Sequence, residues 1–292
     1  MKTKTQTGTN FGWKPLIEIP VSIPSISYLQ GDDAKAFLEE FNATAQEQYG
    51  DAAGKVTVLT YDSQSKLLRG SNPFAVVHAD NLLKSKGVRV ATMADLEKAL
   101  NANALNLRGT YEDTALVLRN RSDPNSYLAG NLADQLTQGH KAGKIPIVIQ
   151  LRGLQLQRDS GSDYGLSFKL TDESQFFQAP QLDEKNHGRN FSKLDDKGLP
   201  ILEGTGHRNV YTRKSGLSRL YLGWSLNLGS DGEDLADSYE VGRVALVRSG
   251  EAAGADVVRA QYEKAQSELS AKMDVAKGIL DRAKNEAFEA LK

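Results

Sequence analysis

The residues best suited to chemistry here are four histidines, His78, His140, His187 and His207. None lies three or four positions from another, so the chain lacks the helical histidine pair that grips zinc. His187 and His207 fall in neighbouring polar stretches, with Asp183, Glu184 and Glu203 close by in sequence. Such a set can ligate a metal or act as acid and base in an enzyme site built from dispersed loops. The plainer expectation is two loop histidines with local hydrogen bonds. His78 closes an apolar run and is expected at a strand end. Residues 160–163 (SGSD) and 230–234 (SDGED) offer oxygen ligands to calcium, but without the alternating spacing and terminal glutamate of a calcium loop. Ordinary acidic hairpin turns are the plainer expectation. No G-x-S-x-G elbow presents a serine nucleophile. Asp195 and Asp196 are consecutive and point apart in an extended chain. No motif calls for a cofactor.

Charge segregation is a stronger feature. Residues 204–230 contain no Asp or Glu, yet include Arg208, Arg213, Lys214 and Arg219, interleaved with Tyr211, Tyr221 and Trp224. Cations and planar rings together can follow a phosphate backbone and stack bases, so single-stranded nucleic acid is one candidate partner. Arg152, Arg158, Arg189 and Lys193 would extend that surface if strands bring them close. Against this stands parity: Tyr221 and Trp224 are three apart, so a regular strand puts them on opposite faces.

The elements that must position these residues begin with residues 144–170. Ile145, Ile147, Ile149 and Leu151 alternate with Pro146, Val148, Gln150 and Arg152; the beat resumes at Leu154 and Leu156, then at Leu166, Phe168 and Leu170. Period two marks strands with one buried face, and the Asp/Ser/Gly stretch at 159–163 marks a hairpin. Ile149, Leu151, Leu166 and Phe168 are expected inside, with Gln150, Ser167 and Lys169 opposite. Gly153 suits a bulge or a sharp bend.

Upstream, prolines 15, 20 and 24 suggest extended edge or wrapping segments with Ile17, Ile19, Val21 and Ile23 on one face. A helix is expected from Gly31 to about Gln48, led by Asp32 and Asp33. Residues 55–60 and 73–78 read as strands, with 88–90 pairing beside them. Thr92 caps a helix to about Asn101, with Asp95 in the reciprocal capping position. Residues 114–118 form a strand, and a helix follows from about Asp123 to Gln138. Residues 171–206 read as a long polar surface excursion; strands return at 220–228 and 239–247.

From residue 255 to the end, the composition changes. Val258, Tyr262, Ala265, Leu269, Met273, Ala276, Leu280, Ala283, Ala287 and Leu291 recur at steps of three or four. One stripe on a helix about 50 Å long results. An apolar stripe of that length needs a surface, with Leu269, Met273, Ala276 and Leu280 near its centre.

Absence of cysteine excludes disulfides, thiol catalysis and thiolate metal sites, and a net charge of −1 leaves any basic surface a local affair. The polar N-terminus lacks the apolar core of a signal peptide, and no apolar run approaches the ~18 residues of a membrane span. No membrane partner and a cytoplasmic location are therefore expected. The fold class expected is α+β: a mixed strand/helix N-terminal half, a mainly antiparallel β second half and a long C-terminal amphipathic helix. The divisions fall at 1–12 (polar tail), 13–143, 144–250, which shares a core with the preceding part, and 255–292. The function expected first is a non-enzymatic assembly or interaction protein. It self-associates or docks on a protein partner through the C-terminal helix. The alternatives are the nucleic-acid binder using Arg208, Tyr211, Arg213, Lys214 and Arg219, and the enzyme around His187 and His207.

Overall fold

The computed structural model describes residues 25–137 and 145–248, together with Lys272, Met273, Lys277 and Gly278. The polar tail, the proline-spaced segment before Ser25, His140, and every residue of the C-terminal stripe except Met273 lie outside the described residues. Leu269, Ala276 and Leu280 are among those outside. The four that are described are helical in backbone and exposed. Residues 24–250 make one compact unit, to which everything below refers.

Its helices are α1 (Gly31–Tyr49), α2 (Pro73–Lys84), α3 (Met93–Asn101) and α4 (Ser126–Thr137). The strands up to the first hairpin are β1 (Ser25–Ser27), β2 (Thr60–Asp62), β3 (Leu67–Arg69), β4 (Val88–Val90), β5 (Glu112–Leu118), β6 (Ile147–Gln150), β7 (Gln155–Arg158) and β8 (Leu166–Lys169). Then come β9 (Phe176–Gln178), β10 (Asn190–Leu194), β11 (Pro200–Leu202), β12 (Arg208–Tyr211), β13 (Leu217–Leu222), β14 (Leu228–Gly229) and β15 (Leu246–Arg248).

Eight strands form the main sheet in the order β11-β10-β12-β14-β13-β5-β6-β9. Every pairing in it is antiparallel except β12 with β14. The mixed helix-and-strand first part and the mixed sheet of the second agree with an α+β chain. β5 lies in the sheet interior and is buried along its whole length. Alternation along it divides two cores: Leu116 and Leu118 join Phe41, Phe74, Leu132 and Phe168, while Ala115 and Val117 join Leu96, Phe191, Val210 and Leu220. Smaller sheets, β1-β15-β4, β2-β3 and β7-β8, complete the unit.

Several elements form as their residues require. In α1, Ala34, Phe37, Phe41, Ala45 and Tyr49 are the buried residues, a single helical stripe. Thr92 and Asp95 form the complete capping box at α3, each side chain accepting from the other's backbone N–H. β7 and β8 pair as the expected hairpin. Ile149, Leu151, Leu166 and Phe168 are fully buried. Gly153 takes a positive φ of 78°, and an added Cβ there would come within 2.7 Å of the Glu173 carbonyl oxygen. The chain therefore bends sharply at Gly153, leaving the main sheet for the hairpin.

Other expectations are corrected. Residues 73–78 are the start of α2, not a strand, and His78 lies inside a helix. Asn72 caps that helix by accepting from the Ala75 N–H at 2.7 Å, and Pro73 occupies the first turn. Burial on nearly every side leaves α2 without a polar face, and a short apolar run of that kind is indistinguishable from a buried strand by periodicity. Residues 55–60 are not a strand either. Gly50–Lys55 is a 3-10 turn, Val56 and Leu59 drop into the core, and the strand starts only at Thr60. β4 pairs with β15 instead. The 171–206 stretch is no surface excursion: it supplies β9, β10 and β11, and Phe191 is fully buried. Ser167 is buried as well, its hydroxyl accepting from Gln157 at 3.0 Å, so the outer face of β8 is covered there, while Lys169 on the same face is exposed as expected. Of residues 239–247, only the last two belong to a strand, β15.

At the start of β5, Glu112 is buried and accepts hydrogen bonds from the Tyr28 and Thr110 hydroxyls on Oε1, while Oε2 has no partner among the described residues. Burial outweighs those hydrogen bonds and the nearby Arg243, and pushes the carboxyl up from 4.5 to about 7. The folded chain thus holds this proton more tightly than the unfolded one. The resulting stability is fully present below the unfolded value and is lost as pH rises through about 7. Its size is at most about 3–4 kcal/mol, since one pKa unit corresponds to ~1.4 kcal/mol. Urea titrations of wild type and Glu112→Gln should therefore diverge between those two pH values, with wild type losing ground to the variant. Parallel curves would show that Glu112 ionises freely in the fold.

Candidate functional site

The sheet centre brings together two charged residues from apolar strands. Arg219 on β13 donates from Nε to Asp113 Oδ1 on β5 at 2.8 Å, and from Nη2 to Asp113 Oδ2 at 2.8 Å. This two-pronged contact is the geometry in which guanidinium and carboxylate bind most strongly. Both groups are buried. The remaining donors are spent on the Asp237 carbonyl at 2.8 Å, the Asp234 carbonyl at 3.3 Å and the Tyr111 hydroxyl at 2.7 Å. Ser71 Oγ donates to Asp113 at 2.7 Å, and the Tyr111 hydroxyl donates to the Ser71 carbonyl. Burial would lower the Arg219 pKa, but the charge and hydrogen bonds of Asp113 hold it above the ordinary arginine value. The Arg219 guanidinium lies over the Tyr111 ring at 5.3 Å and the Tyr221 ring at 5.9 Å.

Above this pair opens a pocket of about 650 Å3. Tyr111, Tyr211, Tyr221, Trp224 and Tyr239 line it, with Asn227, Glu233, Asp234 and Asp237. Trp224 is 67% exposed, Tyr239 59% and Tyr211 37%, high values for large rings. Tyr111 meets Tyr221 and Tyr239 edge to face at 5.9 and 5.8 Å. Three of the phenols are committed elsewhere: Tyr111 to Ser71, Tyr221 to Asp231 at 3.3 Å, and Tyr239 to Asp237. Burial, then Asp231, pushes Tyr221 up to about 12, and the Asp237 hydrogen bond raises Tyr239. These groups keep their protons near neutrality. What the pocket offers is ring surface.

Local folding explains the convergence. β13 ends at Leu222, and residues 223–227 turn back to β14, with Gly223 N–H bonded to the Asn227 carbonyl at 2.8 Å and Leu226 N–H to the Gly223 carbonyl at 2.7 Å. The parity argument that set Tyr221 and Trp224 on opposite faces fails because Trp224 is in the turn. Residues 239–243 run beside the start of β5, where Tyr111 N–H donates to the Val241 carbonyl and Arg243 N–H to the Tyr111 carbonyl. That run delivers Tyr239 to the same pocket.

No protein-family model, no curated protein and no solved structure matches this chain.

The residues singled out from the sequence are distributed unevenly. Arg219 forms the pocket floor and Tyr211 part of its wall. Arg208 is buried on the other core, paired with Glu97 at 2.7 Å and lying over the Phe191 ring at 4.5 Å. Arg213 is half-buried and bonded to Glu233 at 3.2 Å, while Lys214 is exposed. These basic side chains do not gather into one open surface. His187 Nδ1 lies 2.8 Å from the Thr212 carbonyl oxygen, with its ring against Tyr211; His207 is exposed. Among the described residues no group of three or more histidine or acidic side chains could hold a metal ion. His78 sits buried between Thr44 Oγ1 at 3.1 Å and the Tyr49 hydroxyl at 3.3 Å, and burial lowers its pKa. Of the helix-stripe residues only Met273 is described, 65% exposed.

Tyr111, Asp113, Asp237 and Tyr239 carry no site signal in the sequence, and Asp234 stands out there only as an oxygen ligand in the 230–234 turn. One signal was available: an arginine in the apolar strand around Arg219 needs a carboxylate, and Asp113 precedes another apolar strand.

Proposed function

We propose that this chain is a non-catalytic binding protein that holds a small ligand against the rings of Trp224, Tyr239 and Tyr211. The observation that carries this is the exposure of those three rings around one pocket. Its volume falls in the ordinary range for small-molecule sites, ~300–1,000 Å3. A non-catalytic role follows from the floor: Asp113 and Arg219 spend their hydrogen bonds on each other, on the Ser71 and Tyr111 hydroxyls and on the backbone, which favours a rigid base over a proton-transfer pair. Single-stranded nucleic acid, for which the rings alone would serve, is disfavoured by Glu233, Asp234 and Asp237 beside them. Among the described residues no helix is long and apolar enough to cross a membrane.

Ligand-detected saturation-transfer NMR with a mixed set of small aromatic, amine and saccharide probes tests the proposal. At least one class should receive saturation from wild type and lose it in Trp224→Ala. Equal transfer to both proteins, or none, would contradict it.

Association through the C-terminal stripe is a second reading, favoured by the exposure of Met273 on a helical backbone. Removal of residues 256–292 should then lower the number of chains per particle measured by light scattering while residues 25–248 stay folded. A wild type already monomeric, or an unchanged number of chains per particle after truncation, would remove it.

A further inference from the structure

The pocket combines three properties that together select a ligand class. Ring faces dominate the wall, and the hydroxyls of Tyr111, Tyr221 and Tyr239 are already tied to protein groups. Asn227 is likewise spent: Oδ1 accepts from the Asn209 N–H at 2.7 Å and Nδ2 donates to Ser225 at 2.8 Å. A neutral sugar, which needs several free donors and acceptors, finds few here.

The charge is also one-sided. Asp113 cancels Arg219, and Arg213 pairs with Glu233, leaving Asp234 and Asp237 in excess among the described side chains of the pocket. The Asp234 carboxylate is fixed by the N–H groups of Ala236 at 2.8 Å and Asp237 at 3.2 Å. Negative charge beside aromatic faces is the arrangement that attracts an organic cation: the ring quadrupole and the carboxylates act in the same direction. The floor already uses this attraction, holding the Arg219 guanidinium over Tyr111 and Tyr221.

Resting on the binding function proposed above, we infer that the ligand is a small organic ammonium cation, stacked on Trp224 and Tyr239 and balanced by Asp234 and Asp237. Anions are excluded by the same carboxylates, and an uncharged ligand of equal shape forgoes the main attraction.

Isothermal titration of the full chain with choline, with its uncharged isostere 3,3-dimethylbutan-1-ol and with methyl glucoside separates the outcomes. Choline should bind about tenfold or more tightly than the isostere, consistent with partly desolvated cation–π contacts. Trp224→Ala and, independently, Tyr239→Ala should each weaken choline about tenfold. In Asp234→Asn with Asp237→Asn, the amide oxygens still accept the turn and phenol hydrogen bonds while the charge is gone. That double variant should bind choline about tenfold more weakly and with less salt dependence. Equal binding of choline and isostere, preference for the glucoside, or an indifferent double variant would overturn the cation assignment and leave the pocket proposal standing. Absence of binding by all three probes would overturn the cation assignment, while the wider probe set above decides the pocket proposal separately.

Discussion

Asp113→Ala should destabilise the protein by about 3–5 kcal/mol, the usual consequence of removing one partner of a buried ion pair. The guanidinium it leaves behind is 4% exposed and cannot turn to solvent without unpacking the sheet centre. Carbonyls of residues 234 and 237 and the Tyr111 hydroxyl would remain as its acceptors, but none carries a compensating charge. Asp113→Asn should cost less, because an amide oxygen still accepts one of the two bonds. Replacing both partners with apolar residues, Asp113→Leu with Arg219→Met, should recover much of the loss, since the unpaired charge disappears with its partner. Urea unfolding of the three variants measures this order directly. An Asp113→Ala loss below about 1 kcal/mol would mean that Arg219 reaches water or another carboxylate.

Phe168→Ala should cost a comparable ~3–5 kcal/mol by a different route, lost transfer energy plus a cavity. Phe168 is fully buried on β8 and stacks on Phe74 of α2, ring centroids 4.9 Å apart and planes within 5°. Phe74 in turn meets Tyr164 at 5.2 Å. The ring is thus the bolt between the buried helix and the hairpin, and Phe74 loses its stacking partner when it goes. Phe168→Leu, which retains most of the volume, should lose clearly less. Chemical denaturation compares them; a loss below about 1 kcal/mol for the alanine variant would show that the hairpin is not packed on α2 as described.

These two residues mark what was legible in the sequence and what was not. Phe168 was found because strand alternation is local: a period of two over residues 145–151 and 166–170 states which side faces in. The capping box of α3 was found for the same reason, all its parts lying within four residues. Asp113 and Arg219 are separated by 106 positions, and nothing in their spacing announces that β5 and β13 are neighbours. Hence the sequence presents Arg219 beside Arg208, Arg213 and Lys214 as a surface cation, although an acid-free stretch can find its acids elsewhere in the chain. Arg208 finds Glu97 across 111 positions. The pocket was half visible: Tyr211, Tyr221 and Trp224 were noticed as rings, but their convergence depends on the turn after Leu222 and on the return of Tyr239 to Tyr111. Strand parity misled there because it holds only while the strand continues. The buried helix α2 was misread for the complementary reason, having no polar face to betray its period.

Fluorine NMR of the protein labelled with 5-fluorotryptophan tests the central claim most directly. The chain has two tryptophans, Trp13 and Trp224, so a Trp224→Phe variant assigns the pocket resonance. Titration with choline should move the Trp224 signal saturably and leave that of Trp13 in place. A Trp224 signal that stays fixed while ligand binds, or that moves only in step with Trp13, would contradict a pocket built on that ring.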